Sequence, residues 1–133
     1  MEEAAEVSFH IRPLRPHELS MGEAFVLSLA REWVRRLTVA FPPDGPVRVE
    51  LARRLESGES RTVGMTARGH GDWVIYLTPE PHVGQLIDTV AHEYAHVLEG
   101  ITGHEEDEGD GHAIRQREVE RWMLANNRWM ERP

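Results

Sequence analysis

The segment from His92 to His96, with the sequence HEYAH, limits what this chain can fold into more than any other part of it. Each residue of a helix advances by about 100°, so His96 lies roughly 40° and Glu93 roughly 100° round the axis from His92. The three polar side chains therefore share one side of a helix. Two histidines four residues apart on a helix can bind one zinc ion, and the glutamate beside the first of them can act as a general base.

Apolar residues occupy the opposite side of the same helix. They lie between roughly 120° and 260° from His92, and they are Val83, Leu86, Ile87, Val90, Ala91, Tyr94, Val97 and Leu98. The HExxH pattern alone also occurs by chance in unrelated helices, where the histidines are ordinary surface or core residues. The separation of an apolar back from a polar front favours a metal site on a helix that packs against a core.

Length and cysteine content restrict the remaining possibilities. A chain of 133 residues suits one domain, so we expect a single domain over residues 1–133, with residues 1–17 as an extended arm or edge strand. The absence of cysteine excludes disulfides, a thiol nucleophile and zinc bound by cysteine. Any metal must therefore be bound by the 8 histidines or by carboxylates.

Charge and hydropathy indicate the kind of partner. The formal net charge is -8, from 23 acidic and 15 basic residues, and all the basic residues are arginine. This balance predicts weak or no binding to nucleic acid. The acidic N-terminus lacks the features of a signal peptide, and no apolar run is long enough to span a bilayer. We therefore expect a cytoplasmic monomer that does not associate with membranes.

The first regular element is a helix. Ser20 and Glu23 have the spacing of a capping box, in which each side chain bonds the backbone amide of the other residue. Apolar residues then recur at helical spacing until Pro42 and Pro43, which cannot continue a helix. The pattern predicts a helix of about five turns between these signals.

Three strands are predicted before the HExxH helix. Residues 47–51 and 63–67 alternate between apolar and polar types, with Val63, Met65 and Ala67 on one face, whereas Trp73 to Leu77 is apolar on both faces. Glu56 to Glu59 indicates a break, and the glycines between Arg68 and Asp72 indicate a hairpin loop. The predicted class is therefore α+β, with an N-terminal helix, a three-stranded antiparallel sheet, the HExxH helix and a C-terminal closing helix.

A catalytic zinc ion normally takes three protein ligands and leaves one position for water, so a third ligand is needed. Metzincins supply a histidine at a fixed short offset after HExxH, but Thr102 occupies that place here. His112 is preferred because it opens the last helical pattern on its apolar side. His104, in the acidic loop before it, is the alternative. Glu118 and Glu120 are less suitable because they lie outside the apolar stripe.

The order of these elements, with a histidine after a glycine near the start of the closing helix, resembles the SprT-like metallopeptidases, small gluzincin-type zinc proteins that include Spartan. The similarity covers about residues 18–130. It implies His92, His96 and His112 as zinc ligands and Glu93 as the general base.

The resemblance also implies a polypeptide substrate bound as an extended strand, and Trp73 to Leu77 is the stretch that we expect to pair with it. The chain departs from the family's pattern. Ala113 and Gln116 stand where the family commonly has a glycine and an aromatic residue, and we expect no C-terminal zinc ribbon of the kind that many members have.

Other roles follow less directly from the pattern. Arg115 and His70 are candidates to stabilise an oxyanion, and Asp88 and Asp110 are candidates to orient the imidazole rings of the ligands. Two other functions remain open at this point. One is a non-catalytic, zinc-containing binding or accessory protein, and the other is a metal-dependent hydrolase of a non-peptide amide.

Overall fold

The computed structural model describes residues 11–53, 55–57, 60–62, 64–69, 71–79, 83–100 and 109–128, and the side chains at 56–57, 60–62, 83–84 and 109–112 lie outside that description. In these ranges the α-helices are α1 (Met21–Ala40), α2 (Val83–Glu99) and α3 (Gly109–Ala125). The strands are β1 (Val47–Leu51), β2 (Leu55–Ser57), β3 (Ser60–Thr62), β4 (Gly64–Arg68) and β5 (Trp73–Leu77). The predicted α+β class is confirmed.

Helix α1 begins and ends where the sequence predicts. The Ser20 hydroxyl accepts a hydrogen bond from the Glu23 amide at 3.1 Å, and the Glu23 carboxylate accepts one from the Ser20 amide at 3.0 Å. The helix ends at Ala40, two residues before Pro42. Its inner face buries Trp33 and Leu37 completely, which packs the helix against the sheet and the other helices.

The main sheet has the order β1-β5-β4, and it is mixed rather than antiparallel. Strand β4 pairs antiparallel with β5, as predicted, but β1 pairs with β5 in parallel. The directions of these three strands still alternate in chain order, and the prediction was wrong because β5 lies between the other two. The central position suits β5, since a strand apolar on both faces is stabilised where both faces are covered.

The position of β5 corrects the expectation that Trp73 to Leu77 pairs with a substrate strand. Ile75 has a partner on each side, Val49 of β1 and Thr66 of β4. Both edges of β5 are therefore already hydrogen-bonded. In the described part of the chain, β4 is an edge strand of this sheet.

The segment predicted as a break is a hairpin in which β2 pairs antiparallel with β3. Leu55 of this hairpin packs with Ala52 and Met65 in a small second core, against the half-buried side chains of Ile11 and Tyr76. Of the predicted arm at residues 1–17, residues 11–15 belong to no helix or strand, a 3-10 helix begins at Pro16, and residues 1–10 lie outside the described residues.

Helix α2 is buried on almost every side. Its apolar back, including Leu86, Val90 and Tyr94, belongs to the main core, and it ends before Gly100, whose φ of 76° gives the left-handed cap that the sequence predicts. Helix α3 begins at Gly109, three residues before the predicted start at His112. None of the described helices is both long and apolar enough to cross a membrane.

Tyr94 connects α2 to the end of α1, because its hydroxyl donates a 2.6 Å hydrogen bond to the Phe41 carbonyl. Replacement of Tyr94 by phenylalanine should lower the free energy of unfolding by about 1–2 kcal/mol, since the carbonyl loses its donor. Urea denaturation measures this change. The exposed Phe25 provides the control, and Phe25→Leu should change stability by less than about 0.5 kcal/mol. Equal stability of Tyr94→Phe and the wild type would contradict the role of this bond.

Candidate metal and catalytic site

Helix α2 brings the histidines of the HExxH segment together. The Nε2 atoms of His92 and His96 lie 3.3 Å apart, and the two rings meet edge to face. His96 is fully buried, whereas His92 is half-buried. The two nitrogen atoms therefore converge on one point at the side of the helix.

This separation fits a tetrahedral zinc ion. Zinc binds imidazole nitrogen at about 2.0–2.1 Å, so two nitrogens at the tetrahedral angle of about 109° lie about 3.3–3.4 Å apart. The observed distance between the Nε2 atoms is 3.3 Å. The pair matches the donor type and the spacing that such an ion requires.

Glu93 lies between α2 and strand β4. Only 1% of its surface is exposed, and the Thr66 hydroxyl donates a 2.7 Å hydrogen bond to its Oε1 atom. The same hydroxyl is 3.1 Å from the Glu93 carbonyl oxygen. A buried carboxylate requires such partners, because removal of a charge from water is unfavourable. The Thr66 hydroxyl therefore replaces a hydrogen bond that water would make to the carboxylate, and it favours one rotamer of Glu93.

Gly64 makes room for this carboxylate. A Cβ atom at position 64 would lie 3.0 Å from Glu93 Oε2 and 3.1 Å from Thr89 Cγ2. Gly64 and Thr66 are two residues apart on β4, so both face the helix. The absence of a side chain at Gly64 and the hydroxyl of Thr66 fit the sheet to the HExxH helix.

Helix α3 contributes Gln116 to the site. Its Oε1 atom lies 2.9 Å from His92 Nδ1, and its Nε2 atom lies 3.4 Å from the Asp88 carboxylate. Glu120, one turn further along α3, has a raised pKa, first because of burial and then because of the charge of Asp88. The two helices are antiparallel at this contact. Residue 88 of α2 faces residue 120 of α3, and residue 92 of α2 faces residue 116 of α3.

The candidate third ligands are placed as follows. His112 is in the first turn of α3, and its side chain lies outside the described residues, as does the whole of His104. Glu118 is exposed and pairs with Arg115 at 2.9 Å. No group of three or more histidine, aspartate or glutamate side chains able to hold a metal occurs in the described part of the chain.

The other candidates were Arg115 and His70 for the oxyanion and Asp88 and Asp110 for the imidazole rings. Arg115 makes its ion pair with Glu118 at the surface, and Asp88 contacts Gln116 rather than an imidazole directly. His70 and the side chain of Asp110 lie outside the described residues.

Sequence reasoning assigned no site role to three residues that contact the HExxH segment: Gly64, Thr66 and Gln116. The sequence pattern indicated Val63, Met65 and Ala67 as the apolar face of this strand, whereas Gly64 and Thr66 alternate with them and so belong to the opposite face. Gln116 had a usable signal, because it lies four residues after His112 and therefore on the same side of a helix.

We expect Gly64→Ala to destabilise the protein by about 1–3 kcal/mol, because the added methyl group overpacks the contact with Glu93 and Thr89. Gly22→Ala is the matched control. A Cβ there would meet only Ser20 Oγ at 4.0 Å, and alanine favours a helix, so this change should be neutral or stabilising. Thermal unfolding of both variants measures the difference. A Gly64→Ala protein as stable as Gly22→Ala would refute the close approach.

The bond between Thr66 and Glu93 can be measured by a double-mutant cycle. Thr66→Val removes the hydroxyl at similar volume and should cost about 1.5–3 kcal/mol of stability while Glu93 is present. The cost should fall in a Glu93→Gln background, and Thr66→Ser should restore most of the stability. A Thr66→Val effect of the same size in both backgrounds would mean that the hydroxyl does not act on the carboxylate.

Comparison of the chain with protein-family models, with curated protein sequences and with solved structures found no match. What the site can do therefore follows from its own residues and their geometry.

Proposed function

We propose that the chain is a zinc-dependent metallopeptidase in which His92, His96 and His112 bind the metal and Glu93 is the general base. The observation that carries this proposal is the 3.3 Å separation of the two Nε2 atoms. It equals the spacing of two ligands on a tetrahedral zinc ion, to within about 0.1 Å. A glutamate held in one rotamer beside the pair is the further element that hydrolysis needs.

The register of α2 against α3 supports His112 as the third ligand. Asp88 faces Glu120, and His92 faces Gln116, so each turn forward on α2 corresponds to one turn back on α3. One further turn carries the backbone of α3 from Gln116 to position 112 and that of α2 from His92 to His96. Position 112 is thus at the level of the second histidine, where a third ligand is required.

Hydrolysis by this site divides into distinct roles. When bound, zinc polarises the scissile carbonyl and lowers the pKa of a water molecule to about 7. Glu93 takes a proton from the attacking water and later delivers it to the leaving amine. Thr66 keeps the carboxylate in position for both transfers through its hydrogen bond to Oε1. Three neutral histidines supply the ligand set without cysteine.

A polypeptide substrate fits the sheet beside this site. Strand β4 carries Gly64 and Thr66 next to Glu93, and it is an edge strand in the described part of the chain. An extended peptide could add to this edge through main-chain hydrogen bonds and bring one carbonyl toward the histidines. This arrangement resembles the SprT-like metallopeptidases.

Nucleic acid is a poor partner for the described surface. Several arginines already make ion pairs with carboxylates: Arg31 with Glu50, Arg35 and Arg36 with Glu32, Arg48 with Asp72, Arg53 with Glu23, and Arg68 with Asp44. Affinity for a phosphate backbone depends on the number of phosphates that basic side chains neutralise. Weak or absent nucleic-acid binding is therefore part of the proposal.

One observation favours a second candidate, a non-catalytic zinc-containing binding protein. Glu93 is 1% exposed, and a buried carboxylate bonded to Thr66 also serves as a structural link between α2 and β4. In that case the carboxylate would stabilise the fold without a role in proton transfer. The two candidates differ in what a Glu93→Gln change does to hydrolysis.

Glu93→Gln should bind zinc like the wild type and lose hydrolysis of unfolded polypeptides by a factor of at least about 100, since it removes the proton acceptor and no ligand. Metal analysis and a cleavage assay on the same preparations measure both properties. Equal cleavage by both proteins would exclude the general-base role. Bound zinc without cleavage of any unfolded substrate by the wild type would favour the binding protein.

The ligand set predicts one zinc ion per chain. Purified wild type and His104→Ala should each contain one equivalent, whereas His92→Ala, His96→Ala and His112→Ala should contain much less, because a site with two ligands binds zinc weakly. His104 is the matched control because it is the other histidine near the start of α3. Loss of zinc in His104→Ala but not in His112→Ala would reverse the assignment.

A further inference from the structure

We infer that Gln116 is a positioning residue that holds His92 in the tautomer with its proton on Nδ1, so that Nε2 presents its lone pair to a metal. The role in metal binding rests on the proposed function. The hydrogen bonds from which the tautomer is inferred are those of the protein itself and involve no metal. They join Asp88, Gln116 and His92 across the contact between α2 and α3.

Asp88 determines which way the Gln116 amide points. An ionised carboxylate can only accept hydrogen bonds, so the amide atom that faces Asp88 Oδ1, at 3.4 Å, must be the NH₂ group. The other atom, the carbonyl oxygen Oε1, then faces His92. A reversed amide would place its NH₂ group against the ring and its oxygen against the carboxylate, which is repulsive.

The amide orientation determines the tautomer of His92. An amide oxygen can only accept, so the Nδ1 atom at 2.9 Å must carry the proton. In a neutral imidazole the other nitrogen, Nε2, is then deprotonated. Free histidine in water favours the opposite tautomer, with the proton on Nε2. Gln116 therefore holds His92 in the less common form, which is the form that a metal bound at Nε2 requires.

The same tautomer explains the contact between the two histidines. With the lone pair of His92 on Nε2, a direct hydrogen bond over 3.3 Å requires His96 Nε2 to be the donor. If both Nε2 atoms are to act as ligands, that proton must move to His96 Nδ1, because a neutral imidazole keeps one ring proton.

A neutral amide suits this position better than a carboxylate. Asp88 and Glu120 already lie close enough for the charge of Asp88 to raise the pKa of Glu120. A third carboxylate at position 116 would add to this repulsion. The amide accepts from His92 at one end and donates to Asp88 at the other, so it connects the ring to the carboxylate without adding charge.

Nuclear magnetic resonance of the metal-free protein with ¹⁵N-labelled histidine, at about pH 8 where imidazole is neutral, tests the inference. The His92 signals are assigned by their loss in His92→Ala. The wild type should show the proton on Nδ1. Gln116→Met, which keeps the length but removes the strong acceptor, should shift the population toward the Nε2-protonated form. Gln116→Glu should retain the Nδ1 proton, and Arg117→Met, at an exposed neighbouring position, should behave as the wild type.

Zinc affinity, measured by competition with a chelator, provides the second readout. Gln116→Met should bind zinc about 10–100-fold more weakly than the wild type and Arg117→Met. Asp88→Ala, at an exposed position, leaves the amide free to rotate and should give a mixture of tautomers, so it tests the same connection if Gln116→Met does not fold.

The outcomes separate this inference from the proposed function. A wild-type His92 with its proton on Nε2, or a tautomer unchanged in both Gln116→Met and Asp88→Ala, would overturn the positioning role whether or not zinc binds. A tautomer that depends on Gln116 in a protein that binds no zinc would leave the positioning role intact and reject the zinc site.

Discussion

The structure depends on the burial of the Glu93 carboxylate between helix α2 and strand β4. A buried carboxylate is unfavourable unless hydrogen bonds replace its water, and the Thr66 hydroxyl supplies one at 2.7 Å. The carboxylate also needs space, which the absence of a side chain at Gly64 provides. Strand β4 must therefore lie directly against α2, with Gly64 and Thr66 toward the helix and Met65 toward the smaller core on the other face. This one contact sets the position of the HExxH helix relative to the edge of the sheet.

The second constraint is the contact of α2 with α3. Polar side chains face each other at successive turns: Asp88 with Glu120, and His92 with Gln116. Apolar packing continues beside them, where Val119 and Met123 are fully buried in the main core. Apolar contacts stabilise the pair of helices, while the polar contacts specify their register, because a shift by one turn in either direction would separate Gln116 from His92. The same register brings the start of α3 to the level of His96.

Local signals predicted the elements well. The capping box at Ser20 and Glu23, the prolines after Ala40 and the left-handed Gly100 are all found where the sequence indicates them, since each acts within a few residues of its own position. The order of the strands was not predicted. Trp73 to Leu77 was expected to pair with a substrate, although its apolar character on both faces is the usual mark of a central strand. Pairing partners depend on contacts between distant segments, which alternation along one strand does not reveal.

The sequence by itself determined the chemistry that α2 can offer: two imidazoles and a carboxylate on one side of a helix follow from the spacing of His92, Glu93 and His96, because the period of the helix is constant. Only the tertiary structure decided how those groups are held. Thr66 reaches Glu93 from 27 residues away, and Gln116 reaches His92 from 24 residues away. Periodicity can place Gln116 on the same side of its helix as His112, but neither contact partner follows from it, because each contact depends on the packing of one element against another. The physical reason is that a helix specifies the direction of its side chains, whereas their hydrogen-bond partners, tautomers and burial are specified by whatever packs against it.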